Sequence, residues 1–242
     1  MNQNNNLSKS FSTFRNDISS TIDAGFKKMI VQYKIILVGD SAVGKTSLLN
    51  QYVHNKFKSK VETTIAVGSK KRLYNLNQKT VAELEVFDTC GEEKFRSIVR
   101  SYFQGKHGAV MVYDITNKSS FEGLDSWLKE INEAAPKNIK IILVGNKSDR
   151  DDKRQISREA GQKYAKKHDM DFIEVSAKTG SSVSLIFEKL ATGIFKTKEE
   201  KKEENDKDDV QEIQSVKLHS NILNYNSKDE GSLKNPEKTK CC

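Results

Sequence analysis

The chain has 242 residues, enough for one globular domain of ordinary size with added tails. Its 36% hydrophobic and 31% charged content fits a compact core diluted by polar ends. The formal charge of +8 is uneven: residues 197–242 hold nine Lys against eleven Asp and Glu, a balance of −2, which leaves +10 on residues 1–196. A basic excess suits a polyanionic ligand or an anionic membrane surface, and with no basic stretch interleaved with aromatics it argues against nucleic acid as the partner. Three cysteines, Cys90, Cys241 and Cys242, make no spaced, even-numbered framework, which excludes a secreted disulfide scaffold. The four His lack metal-ligand spacing. With no signal-peptide core and no run of 18 apolar residues, the expected setting is the cytosol, unless a lipid anchors the chain.

Residues 1–32 are polar and rich in Asn and Ser, yet Phe11, Phe14, Ile18, Ile22, Phe26, Met29 and Ile30 recur at helical spacing. A disordered or weakly helical extension is the favoured reading, and an amphipathic helix for a partner or membrane surface is the alternative. From Tyr33 strand and helix patterns alternate. Strands are predicted at 33–38, 67–74, 81–88, 109–114, 140–146 and 171–175, and helices at 45–54, 92–103, 119–133, 157–168 and 182–196. Apolar stripes on the helices at 119–133 (Phe121, Leu124, Trp127, Leu128, Ile131) and 182–196 (Val183, Ile186, Phe187, Leu190, Ile194, Phe195) read as core packing. The Asn75–Lys79 region reads as a hairpin, which makes strand two antiparallel in an otherwise parallel sheet. The expected fold class is therefore α/β: a six-stranded, mostly parallel sheet with helices on both faces. From about 197 a charge-rich tail begins that cannot bury a core. As a coil its 46 residues would span roughly 40 Å. The expected organisation is an extension over 1–32, a globular domain over 33–196 and a flexible tail over 197–242.

Three motifs carry chemistry. Gly39-Asp40-Ser41-Ala42-Val43-Gly44-Lys45-Thr46 fits G-x-x-x-x-G-K-[ST], with the apolar run Ile35–Val38 before it and a helical pattern from Ser47 after it. Such a loop turns the amides of Ser41, Ala42, Val43, Gly44, Lys45, Thr46 and Ser47 toward phosphate oxygens. Lys45 can reach the β- and γ-phosphates, and the Thr46 hydroxyl can ligate Mg²⁺. Asp88-Thr89-Cys90-Gly91 closes strand three: a carboxylate there can hold Mg²⁺ directly or through water, and Gly91 permits close approach of a γ-phosphate. Cys90 reads as a small buried apolar group. Asn146-Lys147-Ser148-Asp149 and Ser176-Ala177-Lys178 each follow a strand end. An Asp149 carboxylate can accept from guanine N1–H and its 2-amino group, donors that adenine lacks in that position, so a site of this kind rejects adenine.

Together these motifs resemble the Ras-superfamily small GTPases, and within them the Rab family, over about 33–196. Lys94-Phe95-Arg96-Ser97-Ile98, Val112–Thr116 and the closing Cys241-Cys242 carry the Rab likeness. The resemblance implies a P-loop NTPase fold that binds GTP or GDP with Mg²⁺. It implies Thr64 as the switch I threonine that ligates the ion beside Thr46 and Asp88, and Phe57 as the aromatic flanking the purine. It also implies that Lys147 and Lys178 lie along the base and that the Ala177 backbone contacts the guanine oxygen. Two segments, switch I around Thr64 and switch II from Gly91, would be ordered by the γ-phosphate and released on hydrolysis. Catalysis would come from Lys45, the loop amides, Gly91 and the ion. Glu92 stands where the family has the Gln that orients water; an ionised Glu accepts a hydrogen bond but cannot donate one. It could instead serve as a base.

The resemblance further implies a monomeric switch on the cytoplasmic face of an intracellular membrane, cycling with the cytosol in vesicle traffic. Exchange factor, activating protein, escort and dissociation-inhibitor proteins and effectors would be its partners, and Cys241 and Cys242 its prenylation site. The rival readings are a GTP-binding membrane adaptor with negligible turnover, motivated by Glu92, and a P-loop kinase or ATPase, which the guanine motifs oppose. Ala66, Gly68-Ser69, Phe87 and Cys90 depart from the Rab pattern and mark a divergent member.

Overall fold

The computed structural model describes residues 28–59, 62–92 and 95–200. Six strands, β1 Met29–Val38, β2 Gly68–Asn75, β3 Thr80–Asp88, β4 Gly108–Asp114, β5 Lys140–Asn146 and β6 Asp171–Glu174, form one sheet in the order β2-β3-β1-β4-β5-β6. All neighbours are parallel except β2 and β3. That pair turns back through a tight connection in which the Asn77 Oδ1 accepts from the Lys79 and Thr80 amides at 2.9 and 2.8 Å. A short polar side chain replaces backbone partners here, which is why Asn suits the turn.

The helices are α1 Lys45–His54, α2 Arg96–Ser101, α3 Lys118–Glu122, α4 Leu124–Ala134 and α5 Arg158–Lys167. A final helix, α6, runs from residue 183 to the last described residue, 200. The chain divides into two compact units after Ile194, and the sheet with α1–α5 belongs to the first. β4 is buried along its whole length, as a central strand covered on both faces must be. On one face Ile36, Val38, Met111 and Tyr113 pack with Leu124, Trp127 and Ile131 of α4. Ile35 and Leu37 point to the opposite face by strand alternation. There the Tyr52 ring of α1 stacks on Phe187 of α6, centroids 3.8 Å apart.

The sheet and its antiparallel second strand follow the pattern read in the sequence, while several boundaries differ. β1 starts at Met29 rather than 33, because β3 offers a partner as far back as Thr80, opposite Met29. Met29 and Ile30 are therefore strand residues and not part of a helical stripe, although both remain more than half exposed. The helix expected over 92–103 is described only as Arg96–Ser101. It ends in i to i−3 bonds, Tyr102 N–H to Val99 O and Phe103 N–H to Arg100 O, the tightened last turn common at helix ends. The helix expected over 119–133 is two, α3 and α4, divided at Gly123. Residues 1–27 and 201–242, with Cys241 and Cys242, lie outside the described residues.

Register decides where a ligand sits. Leu37 lies opposite Asp88 and Asp114 opposite Asn146, so the loops after β1, β3, β4 and β5 leave the sheet at one edge. From β1 the chain winds to β3 on one side, and from β3 it crosses to β4 on the other. The crevice outside the carboxyl end of β1 is thus a topological switch point, where open α/β sheets bind ligands.

Candidate nucleotide-binding site

A cavity of about 680 Å³ opens at that crevice. Its floor is the loop between β1 and α1. Gly39 and Gly44 adopt φ of +139° and +100°, and Ala42 sits in the left-handed region at +63°. At Gly39 a side chain would run into the Val112 carbonyl, and at Gly44 into the Asn146 amide, so glycine is needed on both counts. No side chain caps α1, which leaves its first amides turned to the cavity and favourable to an anion.

Lys45 is buried, and its Nζ donates to the Gly39 and Asp40 carbonyls at 2.7 and 2.8 Å. Burial pulls its pKa down to about 8, against the opposing pull of Asp88, Cys90 and Asp40. A phosphate beside it would favour the charged form further. Gly91 presses on the same spot: a Cβ there would stand 2.5 Å from the Asp40 carbonyl oxygen.

Next to Lys45, three oxygen donors converge. The Thr46 hydroxyl lies 2.8 Å from that of Thr64 and donates to Asp88 Oδ2 at 2.7 Å. Asp88 Oδ1 is buried without a hydrogen-bond partner. Burial raises the Asp88 pKa, against hydrogen bonds from Thr46 and Thr64 and the charges of Lys45 and Lys70. A buried carboxylate oxygen with no donor is costly, and beside two hydroxyls it suits a hard cation that takes oxygen ligands. Among the described residues no cluster of three His, Cys, Asp or Glu forms, so such a cation would complete its shell with phosphate and water.

The opposite end of the cavity is braced across three loops. Asn146 donates to the Val43 carbonyl at 2.8 Å and accepts from the Ala177 amide at 3.1 Å, tying both outer loops to the phosphate loop. Lys147, held at φ +69°, donates to the Ala42 carbonyl at 2.8 Å and pairs with Asp114 at 2.7 Å. Asp149 takes a 2.6 Å bond from the Ser176 hydroxyl, and the Lys178 ammonium stands 3.8 Å from its other oxygen. Its carboxylate is thereby aimed, while its residue surface stays open to the cavity.

Ser41, Ala42, Gly44, Lys45, Thr46, Ser47, Phe57, Thr64, Gly91, Asn146, Lys147, Asp149, Ala177 and Lys178 all line this cavity. Val43 and Ser176 are buried behind it, acting through their bonds to Asn146 and Asp149. Asp88 reaches it through Thr46. Glu92 does not line it; its carbonyl accepts from the Phe95 amide. The sequence reading missed Asp114, the partner of Lys147, and Arg150, Lys153 and Thr89 on the cavity wall. Arg150 directly follows Asp149, so its adjacency was a usable signal; Asp114 carried none beyond a charge at a strand end.

A phosphate loop on a mixed sheet, a hydroxyl-carboxylate cluster beside it and an aimed acceptor at the far end define a nucleotide-binding protein of the small GTPase class. The Ras family model matches residues 34–196, and the chain belongs to that family. It is 43% identical over 164 residues to the Ras-related protein Rab-2B of Dictyostelium discoideum, covering 68% of this chain and 81% of that protein. It is 39% identical over 163 residues to the Ras-related proteins Rab-11A and Rab-11C of the same organism, covering 67% of this chain and 76% and 72% of theirs. The protein is a Rab-like small GTPase, which binds guanine nucleotide and hydrolyses GTP.

Proposed function

We propose that the protein is a Mg²⁺-dependent switch in vesicle traffic, anchored on the cytoplasmic face of an intracellular membrane and read there by effectors. The observation that carries this reading is the Thr46–Thr64–Asp88 cluster with its orphaned Asp88 oxygen. It joins a residue of the loop after α1 to the phosphate loop at the point where a γ-phosphate would lie. Thr46, Thr64 and Asp88 would hold Mg²⁺, which when bound neutralises charge on the phosphate oxygens. Lys45 and the α1 amides bind and orient the phosphates, and Gly91 lets the backbone approach the terminal one. Asn146 fixes the spacing between phosphate and base subsites, and Asp149 selects guanine through acceptors that adenine cannot satisfy.

Residues 1–28, before β1, are proposed as an extension and the residues after 200 as a spacer, ending in Cys241 and Cys242 as a double prenylation site. Two lipid chains give stable anchoring where one gives marginal binding. Exchange factor, activating protein and escort proteins follow from the same reading, as does a monomeric state. Glu92 in place of the water-orienting Gln motivates a second reading, a GTP-binding membrane adaptor with negligible turnover. Single-turnover GTP hydrolysis by purified protein, with and without an activating protein, separates the two; a rate equal to that of free GTP in both conditions sinks the enzymatic switch. Imaging tagged protein beside a Cys241→Ser/Cys242→Ser variant tests the anchor, and unchanged membrane localisation in the variant refutes it.

A further inference from the structure

A second cluster of interactions lies on the other side of the phosphate loop from the nucleotide cavity. The Trp127 indole N–H of α4 donates to Asp40 Oδ1 at 2.8 Å. The Arg96 guanidinium, on the first residue of α2, lies 4.8 Å from the centre of the Trp127 ring and 3.8 Å from the same Asp40 oxygen. Arg96 also donates to the Ser126 hydroxyl. Gly123 leaves room for the Asp40 carboxylate: a Cβ there would stand 2.8 Å from Asp40 Oδ2. Trp127 is 1% exposed, so the indole N–H has no water to turn to, and a buried donor left unpaired is costly.

Asp40 thus meets both ends of one short segment. Its main-chain carbonyl is packed against Gly91, and its carboxylate holds Arg96. The residues between them carry Glu92. We propose that Asp40, Arg96 and Trp127 are positioning residues for switch II: they pin the first turn of α2 to the phosphate loop and so fix it relative to Gly91 and Glu92. This rests on the reading that Gly91 responds to the terminal phosphate. Gly91 and Arg96 both contact Asp40, so a shift of Gly91 registers at the Arg96 stack on the indole. A planar guanidinium suits this role, since it can stack on a ring and face a carboxylate at once.

Trp127 is the only tryptophan in the chain, so its emission reports the stack without labelling. The experiment uses the full protein in Mg²⁺, loaded with GDP or with a non-hydrolysable GTP analogue, with nucleotide content measured in every sample. Emission is expected to differ between the two loads in wild type and to be alike in Arg96→Ala, whose single-turnover hydrolysis falls about tenfold through misplacement of Gly91 and Glu92. Arg96→Lys keeps the charge beside Asp40 without the planar stack; its hydrolysis recovers in part, while its emission stays unresponsive. Loaded wild-type protein with the same emission in both states overturns the proposal, and so does Arg96→Ala hydrolysing at the wild-type rate. Wild-type protein that retains neither nucleotide overturns the functional reading as well, and the nucleotide content distinguishes that failure from the other two.

Discussion

Asp149→Asn tests the guanine site with the fewest assumptions, because the change is isosteric and the neighbours of the side chain are known. Asp149 Oδ1 is held by the Ser176 hydroxyl at 2.6 Å, and its side chain is 12% exposed. An Asn in its place keeps that bond by turning its carbonyl oxygen to Ser176, which aims its amide N–H₂ into the cavity. Guanine offers N1–H and a 2-amino group there, so two accepted bonds become donors facing donors. Hydrogen bonds to a charged group contribute about 1.5–3 kcal/mol each, so the pair is worth about 3–6 kcal/mol. At about 1.4 kcal/mol per tenfold, GDP affinity should fall by about 10² to 10⁴. Xanthine carries a carbonyl oxygen at that ring position and can accept from the new amide, so xanthosine diphosphate should bind the variant better than GDP does. Calorimetric titration with GDP, xanthosine diphosphate and ADP checks both statements. A variant that loses less than tenfold for GDP, with no gain for the xanthine nucleotide, would show that Asp149 does not read the base.

Gly91→Ala places a Cβ 2.5 Å from the Asp40 carbonyl oxygen, so residue 91 must move away from the phosphate loop. Overpacking of this kind costs about 1–3 kcal/mol; GTP hydrolysis should drop at least about tenfold while GDP binding persists, and wild-type turnover would refute the contact. Tyr113 is fully buried, and its hydroxyl has no hydrogen-bond partner among the described residues. Tyr113→Phe should therefore raise stability by about 1 kcal/mol in urea titration, and a loss of stability would mean the hydroxyl is satisfied. Burial of Tyr52 pushes its phenol from 10.0 up to about 12, with the Arg72 charge above its ring opposing the shift. Below pH 10 the phenol is neutral in both states; above it the unfolded chain ionises first, so stability falls from pH 10 to 12 by about 2–3 kcal/mol. Tyr52→Phe should flatten that alkaline limb, and an unchanged slope would refute the assignment.

The sequence by itself determined the parts of this protein whose chemistry is local. The phosphate loop was legible because two glycines, a lysine and a hydroxyl at fixed spacing, between a strand and a helix, have few other uses. Asp88, Asn146 and Asp149 were legible because each stands at or just beyond the end of a strand, and parallel strands deliver their ends to one edge. The antiparallel second strand followed from a turn of Asn and Lys too short for a crossover; the strand order came only from the fold.

The tertiary structure alone decided what depends on partners far apart in the chain. That β1 begins at Met29 depended on β3 reaching back to Thr80, a pairing no local pattern encodes. That Lys147 is held by Asp114, and Asp149 by Ser176, needed three loops brought together. The contact of Asp40 with Trp127 spans 87 residues, and Gly123, inside the stretch expected as one helix, leaves room for the Asp40 carboxylate. Glu92 shows the same division: its departure from the family pattern was plain in the sequence, but only the fold shows that it is not among the residues lining the cavity. Hydrophobic period and turn chemistry are properties of neighbours along the chain, whereas hydrogen bonds between loops exist only after the sheet has set the distances between them.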